Sequence, residues 1–361
     1  MRLRVSLGTA QVLGLRSIRQ PHPPTTAYLM WGEKCRRDCA FCAQARGSDS
    51  RADLLSRVTW PAFPAAEVIP RLSGSGVRRV CVQVVEPGSP REMADLVPLV
   101  GELAASGLPV CVSCFLPSLK VAEALLRAGA DGVTLPLDAA SPGVYQLVKG
   151  GSLAAALAHL EKAARAFPGR VGTHLIAGLG ESEEEMVLLI GRLVQLGVRV
   201  GLFAFTPVAG TRMAHHPPPS LESYRRVQAA HYLLRRGLAR AEEFTFEGGR
   251  LTGFGSRFPP ARLRALLADG EAFRTTGCPD CNRPYYNERP GQPVPYNYPH
   301  PLDPGQAEGE VQRLLSSLEA PEGGAGSPVQ GMGVGGGGTG GPGRRMGSGS
   351  VMGGSGTCAG G

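Results

Sequence analysis

From about residue 25 to residue 212 the chain alternates short β-branched runs with Ala- and Leu-rich stretches whose apolar positions recur every three to four residues. Ala27–Met30, Val77–Val85, Val110–Cys114, Gly132–Leu137, Val171–Ala177 and Val198–Phe205 read as apolar strands. EMADLVPLVGELAASG, LAAALAHLEKAARA and SEEEMVLLIGRLVQLG carry the helical period between them. Ser182 is placed to cap the last of these helices, and Glu183, Glu184 and Glu185 complement its dipole. Strands alternating with helices predict parallel strands joined by crossovers. About six such units fit a complete or partial (β/α) barrel of the TIM type. A doubly wound sheet fits less well, because no Gly-rich dinucleotide fingerprint follows the first strand.

The flanks break this rhythm. Residues 1–24 read as an irregular lead-in ending in PHPP, 25–260 as the barrel, and 261–320 as a loop-rich segment dense in Pro, Tyr and Asn. From Pro321 to Gly361 glycine dominates and has little surface to bury in return for its ordering entropy, which predicts a disordered tail. The N-terminal run never becomes a signal-peptide core and no window reaches membrane-spanning length, so the expected location is cytoplasmic. Nine cysteines, an odd number without an export signal, are then metal ligands or buried thiols rather than disulfides. The net charge of +8 is compatible with nucleic acid or with an acidic carrier domain. Scattered arginines without an aromatic-studded basic patch speak against nucleic acid.

Three thiols are crowded into AYLMWGEKCRRDCAFCAQARG, residues 27–47, just after the first strand. Structural zinc normally closes with four N or S ligands. Cys35, Cys39 and Cys42, spaced C-x3-C-x2-C, can instead hold three irons of a cubane and leave the fourth open to a small molecule. This spacing, with Phe41 before the last cysteine, resembles the radical S-adenosylmethionine (SAM) superfamily. The resemblance implies a [4Fe–4S] cluster whose open iron chelates S-adenosyl-L-methionine, an external electron donor such as ferredoxin or flavodoxin, and a 5′-deoxyadenosyl radical as product of reductive cleavage. THLIAGLGESEEE at 173–185, GADGVTLPLDAAS at 129–141 and FAFTPVAGT at 203–211 resemble the family's fifth-, fourth- and sixth-strand motifs. Carried over, they place Phe41 near the adenine, Gly178 and Gly180 along it with Glu181 following, and Asp138 near the ribose. Glu86 falls near the methionine amino group, although Val84-Val85-Glu86 stands where the family has Gly-Gly-Glu. By themselves the glycine pair also reads as an ordinary strand-to-helix turn, and Asp138 as a helix cap.

Within the superfamily the chain resembles biotin synthase. RRVCVQVVEPG and LPVCVSCFLPS put Cys81 and Cys111 on the second and third strands, where that family carries two ligands of a sulfur-donating auxiliary cluster. The third ligand position holds Gly172, and no sixth-strand arginine ligand is evident in GLFAFTP. His174 is a further nitrogen ligand in principle, or a packed core histidine. Two C-x2-C pairs, Cys111/Cys114 and Cys278/Cys281, are candidates for an auxiliary iron–sulfur cluster or zinc; on a strand Cys111 and Cys114 face opposite sides unless it ends or bulges between them. Buried apolar thiols are the alternative for Cys81, Cys111 and Cys114. CPDCNRPYYNERPG…YNYP, joined to TTAYLMWGEKC, resembles the radical SAM subunits of two-component lipoyl synthases. That resemblance implies sulfur insertion into a protein-bound octanoyl chain, with a second radical SAM subunit and an acidic lipoyl carrier protein as partners. Biotin-type sulfur insertion, another radical SAM reaction in cofactor biosynthesis, and a zinc-bound scaffold on Cys35, Cys39 and Cys42 with Cys278 and Cys281 stay open.

Overall fold

The computed structural model describes residues 1–85, 90–288 and 291–319. Glu86 and the Gly-rich stretch 321–361 lie outside the described residues. Six parallel strands follow one another in sequence order across one sheet: Thr26–Trp31, Arg79–Val84, Val110–Ser113, Ala130–Thr134, Val171–Ala177 and Arg199–Ala204. Each expected strand is there, with its ends displaced by a few residues at most. Helices Pro90–Ala104, Leu119–Arg127, Leu153–Ala166, Glu183–Gln195 and Leu221–Arg235 supply the second layer. Ser182 accepts from the Glu185 N–H at 3.1 Å, and the Glu185 carboxylate accepts from the Ser182 N–H at 2.9 Å, a complete capping box.

Alternation decides which side chains go where. Val80, Val82, Val110, Val112 and Val133 point outward into one apolar core with Leu96, Leu99, Leu103, Leu125 and Leu160 of the helices. The alternate positions Cys81, Gln83, Ser113, Thr134, His174 and Phe203 line the interior. A barrel with this many polar groups inside is built around a cavity rather than a packed centre.

The sheet does not return on itself. Arg199–Ala204 forms one edge, and beyond Thr26–Trp31 come two short antiparallel strands, Arg2–Val5 and Ala62–Pro64. The barrel is thus partial. The expected irregular lead-in is corrected here: Arg2–Val5 is a strand and Leu7–Val12 a short helix. Four residues are too few to show a period, and this strand is specified by burial of Leu3 and Val5 against the first parallel strand. Its Arg4 donates to the carbonyls of Gly32 at 2.7 Å and Ala52 at 2.6 Å, pinning the cysteine loop from below.

Segment 261–320 is less loop-rich than its composition implies, because helix Pro304–Glu319 packs on Leu221–Arg235. The buried pair Arg225–Glu310, 2.8 Å apart, fastens the two helices. Between them, residues 275–288 span the open side of the barrel. On the sixth strand Thr276 accepts from the Leu202 N–H at 3.0 Å, and Asn287 donates to the Ala204 carbonyl at 2.6 Å. On the first strand's side Asn282 accepts from the Thr25 N–H at 3.0 Å, and the Arg283 N–H donates to the Tyr28 hydroxyl at 2.8 Å. No described helix is long and apolar enough to cross a membrane.

Candidate metal and cofactor centre

The loop that follows Trp31 turns at Gly32, φ 96°, where a β-carbon would strike the Val85 carbonyl at 2.6 Å. Backbone bonds then fix it. The Cys35 N–H reaches the Gln44 carbonyl at 3.2 Å, the Cys42 N–H the Cys39 carbonyl at 3.1 Å, and the Ala40 N–H the Val148 carbonyl at 2.7 Å. Gln44 donates to the Ala52 and Leu54 carbonyls, and Asp38 pairs with Arg212 across the mouth. Cys35, Cys39 and Cys42 all border one cavity of about 560 Å³. Burial pushes the Cys42 thiol up to about 12 and the Cys39 thiol above its ordinary value, with the neighbouring thiols adding to both. Thiols in this condition must give up protons to bind metal, so ligation and deprotonation are coupled.

Three further thiols, Cys81, Cys278 and Cys281, border the same cavity from deeper in the barrel, and Cys111 lies beside them. Cys81 and Cys111 are register partners on adjacent strands. The inserted segment brings Cys278 and Cys281 to them: the side chains of Cys111 and Cys278 hydrogen-bond, and Cys81 feels both Cys278 and Cys281. The hydrogen bond from Cys278 lowers the Cys111 thiol, whereas the same bond and burial raise Cys278. Polar groups ring the four. Arg79 donates to Cys111 Sγ at 3.0 Å, Gln83 to Cys81 Sγ at 3.0 Å, and the Tyr28 hydroxyl lies 3.4 Å from Cys281 Sγ.

Of the expected auxiliary candidates, Cys111, Cys278 and Cys281 come together, and Cys81 stands with them. The third strand ends at Ser113, between Cys111 and Cys114, and the buried Cys114 side chain touches the outer apolar core and also borders the cavity. Gly132, Gly172 and Gly201 carry no side chain on three adjacent strands; Arg199 lies against the first two, and the space above Gly201 is filled by Gly277 and the Arg283 guanidinium. The sixth strand does carry an arginine, Arg199, two residues before GLFAFTP begins; it lines the cavity beside Cys111 and Cys278.

Among the described residues no three His, Cys, Asp or Glu side chains close on a single metal ion. Ligands of a multi-iron cluster each take a different iron and so stand further apart than the ligands of one tetrahedral zinc. Donor type, number and a shared cavity suit one cluster at each thiol group. Tyr286 lines the cavity near members of both groups; burial holds its hydroxyl far above its ordinary value, and Cys81, Cys281 and Cys42 reinforce that.

Of the residues expected to hold SAM, Phe41 and Asp138 border the cavity. Asp138, in left-handed backbone at φ 66°, is ion-paired at 2.6 Å to Lys149, and both side chains are buried. Gly178, Gly180 and Glu181 form the turn behind, off the cavity lining. There Gly178, φ 95°, packs on Pro219, and the Glu181 carboxylate accepts from the Gly178 and Leu179 N–H groups at 2.7 and 3.1 Å. His174 lines the cavity edge-on to Phe203, its ring nitrogen pushed down to about 4 by burial. Lys149 and Arg283 had no distinguishing signal in the sequence: the first reads as a cation at a helix C-terminus, the second as a loop arginine.

Residues 29–193 match the model of the Radical SAM superfamily. The chain is 31% identical to a biotin synthase of Halorhodospira halophila over 215 residues, 57% of this chain and 64% of that protein. It is 29% identical to a biotin synthase of Desulforudis audaxviator over 224 residues, 60% and 65% of the two chains. The match thus spans just under two thirds of these relatives. A crystal structure of methylornithine synthase superposes with a TM-score of 0.47 at 17% identity, covering 64% of this chain and 66% of that one.

Proposed function

We propose, from the match of residues 29–193 to the Radical SAM superfamily and the similarity to biotin synthases, that the chain inserts sulfur at unactivated carbons of an extended acyl substrate, a protein-bound octanoyl chain first among them. One observation carries this reading: a single cavity bordered by Cys35, Cys39 and Cys42 at its mouth and by Cys81, Cys278 and Cys281 in its depth. With SAM bound, a [4Fe–4S] cluster on the first three supplies a primary radical able to take hydrogen from an aliphatic carbon. The protein's part is placement. Phe203, Ile176, Tyr286 and Leu55 offer an apolar wall for a chain lying between the two thiol groups, which shortens the path from carbon radical to sulfide and excludes water from it. Asp138, fixed by Lys149, presents an acceptor for ribose hydroxyls. A cluster on Cys81, Cys111, Cys278 and Cys281 is the sulfur source.

An acidic lipoyl carrier fits the rim, where Lys34 and Arg36 are exposed and Arg37 lies 4.4 Å over the half-exposed Phe115 ring. A second radical SAM subunit and a ferredoxin or flavodoxin complete the proposed system. Biotin-type insertion is the second reading, favoured by the biotin synthases among the relatives. The test is anaerobic turnover of the reconstituted full chain with SAM, dithionite and either an octanoyl-lysine peptide or dethiobiotin, read by mass spectrometry. Thiolated octanoyl peptide is the expected product. Thiolation of dethiobiotin alone moves the assignment to the second reading, and no 5′-deoxyadenosine with either substrate removes both.

A further inference from the structure

Two arginines at the deep end of the cavity form no ion pair among the described residues. Arg283 is buried, in left-handed backbone at φ 32°. Its guanidinium lies 3.9 Å from the Phe203 ring centroid, donates to the Leu202 carbonyl at 3.4 Å, and stands 3.8 Å from Cys281 Sγ. Gly201 and Gly277 give it room, since a β-carbon on either would meet Nη1 at 3.4 or 3.2 Å. The buried Glu288 carboxylate feels the Arg283 charge but is hydrogen-bonded elsewhere, accepting from the Asn297 and Asn287 N–H groups at 3.0 and 3.2 Å. Arg199 crosses the bare face of Gly132 beside Cys111 and Cys278, and its buried Nε has no hydrogen-bond partner among the described residues. Arg79 differs, because Asp131 pairs with it at 2.6 Å.

A buried cation without an anion is costly, and neutral thiols and phenols do little to offset it. Beyond Glu288, the groups that act most on Arg283 are Cys281, Tyr28, Tyr224 and Cys278. They become an anionic environment only when the cysteines are thiolates, which is what ligation to iron makes them. Four thiolates on an oxidised four-iron, four-sulfide core leave a net charge of about minus two, and two arginines without an ion pair oppose it.

We propose that Arg199 and Arg283 are positioning residues for an anionic iron–sulfur cluster on Cys81, Cys111, Cys278 and Cys281, balancing its charge and raising its reduction potential. This rests on the second cluster of the preceding reading. Reduction adds one electron, from a low-potential donor, to a cluster that is already negative. Fixed positive charge beside it favours the reduced state.

The test uses the full chain with Cys35, Cys39 and Cys42 replaced by Ala, which leaves only the deeper thiols. It is reconstituted anaerobically with iron and sulfide, counted for both, and titrated with dithionite under electron paramagnetic resonance. The parent should hold one four-iron cluster. Arg283→Met and Arg199→Met should each shift its midpoint potential downward, and Arg283→Lys should recover most of the shift. Loss of the cluster in the Met variants with retention in Arg283→Lys also supports the charge assignment; loss in Arg283→Lys as well overturns it in favour of shape. Metal-free Met variants should melt no lower than the metal-free parent, and a marked fall would mean that the arginines serve packing instead. A loaded parent whose potential is the same in both Met variants overturns this inference alone. A parent that takes up no iron overturns the second-cluster reading and this inference with it.

Discussion

Cys81 and Cys111 stand opposite each other in the register of the second and third parallel strands, and Cys278 reaches them from a segment that crosses the barrel's open side. Two of the four thiols are thus held by sheet geometry. The other two are held by a turn in which the Cys281 N–H donates to the Cys278 carbonyl at 3.2 Å. The set is rigid on one side and inserted from the other, which makes each half separately testable.

Replacing Cys278 and Cys281 by Ala should lower bound iron by about one four-iron cluster and leave reductive SAM cleavage in place. Cys114→Ala should leave iron content unchanged and cost only about 1 kcal/mol of stability, as expected for trimming a small buried side chain. Iron and sulfide counts with thermal melts check both. Equal iron loss from Cys114→Ala and from the double variant would overturn the assignment of ligands.

Replacing Cys35, Cys39 and Cys42 together by Ala should cut 5′-deoxyadenosine formation by more than about a hundredfold, because no iron remains to bind the cofactor. Chromatographic assay with dithionite as reductant measures it. Retention of the wild-type rate would remove the central functional claim.

Lys149→Met should destabilise the fold by about 3–5 kcal/mol, since it strands the Asp138 carboxylate in a buried site. Adding Asp138→Asn should restore most of that stability while SAM affinity stays reduced. Urea titrations and equilibrium dialysis separate the two effects. A double variant no more stable than Lys149→Met alone would show that the loss lies in packing rather than in stranded charge.

Burial raises the Glu181 carboxyl to about 7, against the lowering pull of the N–H groups it accepts from, the Gly178 N–H first. Its folded value therefore lies above its unfolded value of 4.5. The folded state holds the extra proton between those two values, so this group's contribution declines as pH rises through them, by roughly 3 kcal/mol in total. Glu181→Gln should flatten that part of the stability profile and gain most, relative to wild type, at pH near 8. Melting temperatures across that range test it; parallel profiles for the two proteins would contradict it.

The six strands were legible because Val-rich runs such as Val80–Val82 and Val110–Val112 must face helices, and the polar residues between them then have to face inward. The mouth cysteines were legible from spacing alone. Helix Pro304–Glu319 carried a signal that composition masked: Ala307, Val311, Leu314 and Leu315 follow the helical period, and Asp303 caps the Gln306 N–H at 2.8 Å. The crossing at 275–288 had no such signal. Its place is set by hydrogen bonds to strands more than seventy residues away in sequence, such as Thr276 to Leu202, and by the space above Gly201. For the same reason Cys81, visible as a strand cysteine, could not be told from a buried apolar thiol until its neighbours were in place.

The wall across the barrel's open side also imposes an order in time. Cys81 and Cys111 are synthesised and can enter their strands long before Cys278 and Cys281 leave the ribosome, and the gap they face stays open until the chain has been made past Asn287. The deeper thiol group is therefore completed last. Until then Cys81 and Cys111 are open from the side, an access that the completed fold closes behind them.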